Sequence, residues 1–155
     1  MTDLPEAAVN CFSQHFNCSQ AVFSTFAPQF GIDEATALKL ASPFGGGLAR
    51  RGEVCGAVSG ALLTLGLARG ADTPAGKEEI YRLSQEYMRR FEEKYGTLLC
   101  RELIGCDLST PAGNQAAAEK KVFTTICPAL VREAAEITQS LLDVDRLECR
   151  WNGGR

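Results

Sequence analysis

An all-α fold is what this sequence predicts: a single-domain helical bundle of about six to eight helices around a glycine-rich central helix. Three observations carry that prediction. Apolar residues recur at three- and four-residue intervals along most of the chain, the spacing of one helix face. No stretch alternates apolar and polar residues as a half-buried strand would. The segment from Val54 to Ala68, VCGAVSGALLTLGLA, contains no charged residue and is apolar all round, the pattern of a helix buried on every side. That segment is too short to span a bilayer, which needs about 20 apolar residues. Gly52, Gly56 and Gly60 recur every four residues and read as one smooth stripe where a neighbouring helix can approach. An interior glycine costs about 1 kcal/mol relative to alanine, so close packing must offset it.

Taken in order, the chain supplies a start and stop for each helix. Asp3 with Pro5 marks the first start, proline standing in the first turn where its missing N–H is harmless. This helix is expected from about Leu4 to Gln14, presenting Val9 and Phe12. Asn17-Cys18-Ser19-Gln20 then resembles a capping box, which puts Cys18 in the first turn of a second helix. Ala21, Val22, Phe23 and Phe26 continue that helix until Pro28 and Gly31. One helix through both segments is the alternative; the break is the reading adopted. Asp33 caps a short helix over 34–41, which stops at Ser42-Pro43. A glycine loop, Phe44-Gly45-Gly46-Gly47, leads past Arg50 and Arg51 into the central helix, with Cys55 expected in its first turn and Arg69-Gly70 at its end. Thr73-Pro74 opens an amphipathic helix with Ile80, Leu83, Tyr87, Phe91 and Tyr95 on one face, ending at Gly96. A short helical piece, 98–104, holds Cys100, and Cys106 follows Gly105. Ser109-Thr110-Pro111 is another cap-plus-proline start and leads into helix over 116–123. Cys127-Pro128 begins the last helix, with Leu130, Val131, Ala134, Ile137, Leu141 and Leu142 facing inward. Residues 149–155 read as a frayed C-terminal tail, leaving 1–148 as the domain.

A chain of 155 residues with 45% hydrophobic and 23% charged residues is an ordinary globular domain, large enough to bury a proper core. Its net charge of −3 argues against nucleic acid or an anionic membrane as partner. The opening MTDLPEAAVNCF has neither a basic region nor an apolar signal segment, so a cytoplasmic protein without membrane insertion is expected. Seven cysteines, an odd number without a sign of export, argue against a structural disulfide framework. A single histidine, His15, makes a histidine-rich metal site or a histidine-dependent hydrolase implausible, and it reads as a surface or capping residue. Glu92-Glu93 lies on the charged face of its helix and reads as solvated.

The cysteines carry the chemistry. Cys18, Cys55 and Cys127 fall at or near helix starts, and Cys100 lies in a short helical segment. A helix N-terminus offers unpaired N–H groups and partial positive charge. Both favour thiolate and can bring a cysteine pKa from about 8.5 into the range of roughly 3.5 to 7.5. Arg50 and Arg51 would push Cys55 the same way, which makes it the expected most reactive thiol unless burial prevails. Cys11 and Cys149 read as packing residues; Cys106, close to Cys100, is a candidate resolving partner. Two chemistries fit the four. One is thiol–disulfide or thiol–oxidant exchange, with a redox partner protein or small oxidant as the counterpart. No Cys-x-x-Cys is present, so a working pair must form across helices, with Cα atoms within about 7 Å. The other is an iron–sulfur cluster, or another thiolate-bound metal, held by all four; zinc fits less well because its ligands usually come in local pairs. A structural or partner-binding module is the third possibility, and self-association of the chain is left open. The loop of Gly45, Gly46 and Gly47 lacks both the P-loop ending and a dinucleotide fingerprint. With Arg50 and Arg51 it remains a candidate cradle for a small anion.

Asn17-Cys18-Ser19-Gln20-Ala21-Val22, Phe44-Gly45-Gly46-Gly47, Gly52-Glu53-Val54-Cys55-Gly56-Ala57-Val58-Ser59-Gly60, Cys100-Arg101-Glu102-Leu103 and Cys127 together resemble the C-GCAxxG-C-C family. These are small bacterial and archaeal proteins, inferred to be redox-active and named for four cysteines. The resemblance covers nearly the whole chain and implies that the family cysteines are Cys18, Cys55, Cys100 and Cys127. The family label writes Gly-Cys-Ala where this chain reads Cys55-Gly56-Ala57. Some members are said to carry selenocysteine, which implies redox chemistry.

Overall fold

The computed structural model describes the backbone of residues 3–152 and the side chains of residues 3–143. Its helices begin where local caps dictate. Helix α1 (Leu4–Ser13) starts on Asp3, whose carboxylate accepts the Glu6 N–H at 3.1 Å. The chain then breaks at His15, which has a left-handed φ of 74°. Helix α2 (Cys18–Phe26) opens on a complete capping box: Asn17 Oδ1 accepts the Gln20 N–H at 2.9 Å, and Gln20 Oε1 accepts the Asn17 N–H at 3.0 Å. The break therefore forms, because both ends of the joint satisfy their own N–H groups. A 3-10 turn (Ala27–Phe30) and left-handed Gly31 end this unit, and Asp33 caps α3 (Glu34–Ala41).

After a second 3-10 turn (Ser42–Phe44) come the one-turn α4 (Gly45–Leu48), α5 (Gly56–Arg69) and α6 (Pro74–Tyr95), the last closed by left-handed Gly96. The chain continues through α7 (Cys100–Ile104), α8 (Pro111–Glu119), α9 (Val122–Thr125) and α10 (Cys127–Asn152). Among the described residues there is no strand, only an isolated antiparallel bridge between Val54 and Leu99. The architecture is all-α, as the periodicity predicts.

Helix α5 lies at the centre, against α2, α6 and α10, while α1 packs on α10 and α2. No residue of α5 is exposed. Helix α2 is equally enclosed, which the sequence did not single out: Ala21, Val22, Phe23 and Phe26 are all buried. Leu83, Tyr87 and Phe91 of α6 face this core, and Leu130, Val131, Ala134, Ile137, Leu141 and Leu142 of α10 do so as expected. The outer face of α6 carries ion pairs such as Arg89–Glu86 at 2.9 Å and Arg89–Glu93 at 3.0 Å. A second, smaller core gathers Cys100, Ile104, Cys106, Leu108, Ala117, Val122 and Cys127.

Three expectations need correction. The central helix starts at Gly56, so Cys55 is its N-cap and Gly52, at φ 72°, lies outside it. The cause is non-local: Cys55 N–H donates to Leu98 O at 2.8 Å and Cys100 N–H to Glu53 O at 2.7 Å, which holds residues 53–55 extended. The glycine stripe is therefore Gly56 and Gly60. The helix expected over 116–123 is interrupted, since α8 ends at Glu119 and Lys121 turns left-handed at φ 54° before α9. Helix α10 runs on to Asn152, into the stretch read as a tail; the side chain of Cys149 and residues 153–155 lie outside the described residues.

The stripe works as predicted at its two remaining positions. A Cβ on Gly56 would come within 2.9 Å of Phe44 O and 3.2 Å of Ser19 N, and one on Gly60 within 2.7 Å of Ser19 O. Gly60→Ala is therefore expected to push α2 off α5 and cost about 1–3 kcal/mol. Gly66→Ala, on the same helix but with nothing within 4 Å of the added carbon, should stabilise by up to about 1 kcal/mol. Urea unfolding of the two variants checks the sign of each; equal midpoints would remove the close-packing argument.

Candidate functional site

Four helix starts converge on one small cavity. Cys18 is the first residue of α2, Cys55 the N-cap of α5, Cys100 the first residue of α7 and Cys127 the first of α10. All four line a cavity of about 20 Å³, with Leu103, Ile104 and Leu130 as apolar wall. That is room for about one water molecule. Cys55, Cys100 and Cys127 are buried and Cys18 is partly buried.

Backbone geometry explains the convergence. The paired hydrogen bonds between residues 53–55 and 98–100 bring Cys55 and Cys100 to the same wall. Two glycines make the space for sulfur. A Cβ on Gly56 would stand 3.3 Å from Cys18 Cβ, and one on Gly47 would stand 2.7 Å from Cys100 Cβ.

The thiols are not equivalent. Cys18 and Cys127 interact through their side chains, and the interaction favours the proton on Cys18 over Cys127. The Cys18 S–H and the Cys127 N–H both favour a thiolate at Cys127, whose pKa falls below the ordinary cysteine value despite burial. Cys18 is pushed well above it, first by that same bond and then by burial. Burial drives Cys55 up to about 11, although the N–H groups of Ala57 and Val58 pull the other way. Cys100 rises to about 12, again chiefly through burial, with neighbouring Cys55, Cys127 and Cys106 adding to it. Cys55 is thus not the most acidic thiol that the sequence suggested. Its helix terminus acts on it, but removal from water acts more strongly.

Cys11 and Cys106 are not part of the cavity lining. Cys106 is buried behind Cys100 in the smaller core. Cys11 places its sulfur 3.6 Å from Ser24 Oγ. His15 is exposed. Tyr87, read as a core residue, has a buried hydroxyl without a protein hydrogen-bond partner, and its electrostatic neighbours include Cys55. Among the described residues no group of three or more histidine, cysteine, aspartate or glutamate side chains is placed to hold a metal ion.

The glycine loop forms the rim of a second, larger cavity of about 370 Å³. Gly45, Gly46 and Arg50 line it; Gly47 instead packs against Glu53 and Cys100, and the exposed Arg51 is not part of the lining. Residues 46–50 run left-handed, including Leu48 (φ 64°), Ala49 (φ 49°) and Arg50 (φ 67°). Each such non-glycine residue costs about 1–2 kcal/mol. Hydrogen bonds from Ala49 N–H to Pro43 O at 2.9 Å and from Glu53 N–H to Gly47 O at 2.9 Å hold the turn. Asn17, Leu108 and Phe123 also line this cavity. Nothing in the sequence marked the last two, which looked like ordinary apolar positions.

The acidity order predicts a labelling order. On fully reduced protein at about pH 7.5, iodoacetamide should label Cys127 before Cys55 and Cys100, with the Cys55 midpoint near pH 11. Cys18→Ala removes the S–H that holds the Cys127 thiolate, so the Cys127 midpoint should rise. Peptide mapping by mass spectrometry reads both; labelling of Cys55 ahead of Cys127 would reverse the order.

Comparison with known proteins agrees with the cysteine pattern. No curated protein and no solved structure gives a match. A family model described as "Putative redox-active protein (C_GCAxxG_C_C)" matches residues 16–141, a span that holds all four cavity cysteines and the glycine turn. The chain belongs to that family.

Proposed function

We propose that this protein exchanges thiols and disulfides through the pair Cys18 and Cys127. The single observation behind this reading is that Cys18 and Cys127, at the starts of α2 and α10, line one small cavity as interacting side chains, an arrangement that favours Cys127 as the attacking sulfur and Cys18 as the resolving thiol. The remaining thiols, Cys55 and Cys100, stay protonated. A second thiolate in so small an apolar cavity would be repelled by the first and unsolvated. When Cys127 ionises, the site therefore holds one negative sulfur among neutral ones.

The counterpart is an oxidised disulfide, on a partner protein or a small molecule. Cys127 Sγ attacks one of its sulfurs, forming a mixed disulfide and expelling a thiolate. Cys18 Sγ gives up its proton to that leaving group and attacks Cys127 Sγ. The Cys18–Cys127 disulfide forms, at a bond length of about 2.05 Å, and the second thiolate leaves and takes a proton from water. Two electrons pass from the cysteine pair to the substrate disulfide. A dithiol reductant returns the pair to its starting state by the reverse exchange.

The convergence of four thiols on one cavity also supports a second reading, an iron–sulfur cluster or another thiolate-bound metal. The sulfurs would have to rearrange to ligate it, because no preformed ligand set exists among the described residues.

Oxidation with one equivalent of a small disulfide is the test. Mass spectrometry should find a Cys18–Cys127 linkage, and Cys18→Ser should accumulate the mixed disulfide on Cys127. Protein purified without oxygen should be colourless. A linkage confined to Cys100 and Cys106 would overturn the assignment of the pair. A brown protein carrying acid-labile sulfide would overturn the thiol reading in favour of the cluster.

A further inference from the structure

The two cavities share a wall. Gly46, Leu108 and Phe123 line both the inner cysteine cavity and the outer basin. The inner cavity admits about one water molecule, whereas the basin, at about 370 Å³, has the size of a small-ligand site. A reagent that approaches Cys127 across this shared wall rests in the basin and presents only its reacting atom inward. Phe123, 45% exposed on the short α9, stands at this boundary.

The basin has a defined charge. Arg50 is the sole charged residue in its lining. Among the described residues no carboxylate pairs with it. Its side chain lies over Gly46, since a Cβ there would be 3.0 Å from Arg50 Cγ. The guanidinium stem thus covers the glycine that separates basin from cysteines. It reaches this place only because residues 46–50 turn left-handed; Arg50 itself has φ 67°, and its N–H donates to Gly45 O at 3.2 Å. Backbone held in a sparsely populated conformation beside reactive groups is the kind of outlier that points to function.

We propose that the basin is the substrate site, and that it takes a small organic disulfide bearing a carboxylate or similar anionic group. Arg50 binds the anion while the disulfide reaches Cys127 past Gly46 and Phe123. This rests on the thiol–disulfide reading of the Cys18–Cys127 pair. The electron balance is the one given above, with the small disulfide reduced to two thiols and the cysteine pair oxidised to a disulfide.

The experiment compares three probes on the reduced full chain: dithiodipropionate, which is dianionic, hydroxyethyl disulfide, which is neutral, and cystamine, which is dicationic. Rates of Cys18–Cys127 oxidation are each divided by the rate of the same probe with free dithiothreitol, to remove intrinsic reactivity. The dianion should be preferred over the dication by roughly tenfold or more at low salt, and less as salt screens the interaction. Arg50→Ala should bring that ratio close to one, Arg50→Glu should invert it, and Arg50→Lys should keep most of it. No preference in the wild-type protein, or a preference unchanged in Arg50→Ala, would overturn the substrate assignment and leave the thiol reading standing. Failure of all three probes to oxidise the pair would overturn both.

Discussion

The seating of α2 on the glycine side of α5 is the contact from which the site's geometry follows. With side chains absent at Gly56 and Gly60, the backbone of α2 at Ser19 lies where a Cβ would otherwise be. This approach brings the first residue of α2, Cys18, beside the N-cap of α5, Cys55. Spacing them further apart by one side chain would open the apolar cavity to water and separate the sulfurs. The tightness has a cost: Ser19 Oγ and Tyr87 Oη are buried without a protein partner, and a buried unsatisfied polar group is worth about 1–3 kcal/mol. Dense apolar burial around α5 offsets it, with Val22, Phe26, Val58, Leu65 and Val131 all enclosed.

Within that cavity, burial and helix polarity compete, and the winner differs from one cysteine to the next. At Cys55 and Cys100 burial prevails and the thiols stay protonated. At Cys127 a direct donor, the Cys18 S–H, joins the residue's own N–H, and together they outweigh burial. A general helix field is diffuse and fades within a turn; a hydrogen bond to the sulfur acts at contact range. Four cysteines at four helix starts thus yield one acidic thiol, because only Cys127 is favoured as the acceptor of a neighbour's S–H.

The glycine turn links this buried chemistry to the surface. Gly47 turns inward to make room for Cys100, while Gly46 lies between the two cavities, beneath the Arg50 side chain. Left-handed backbone through residue 50 lets one short segment serve both sides. No helix of the described residues is long and apolar enough to cross a membrane.

Local signals alone determined most helix boundaries. Asp3, Asn17, Asp33, Thr73 and Thr110 each cap the helix expected of them, because a cap is satisfied by N–H groups two or three residues away. The inward faces of α6 and α10 were legible for the same reason: helical periodicity is a property of a short window. The four cavity cysteines were legible as helix-start residues. What tertiary structure decided was everything set by distant partners. Gly52 fell outside the central helix because residues 98–100 hold the preceding segment extended. The α8–α9 break at Lys121 carried no recognised punctuation. The acidity of each thiol depended on which sulfur it met and how much water remained, and neither is a function of its neighbours in sequence. Cys127 is acidic because Cys18, at the other end of the chain, is folded against it.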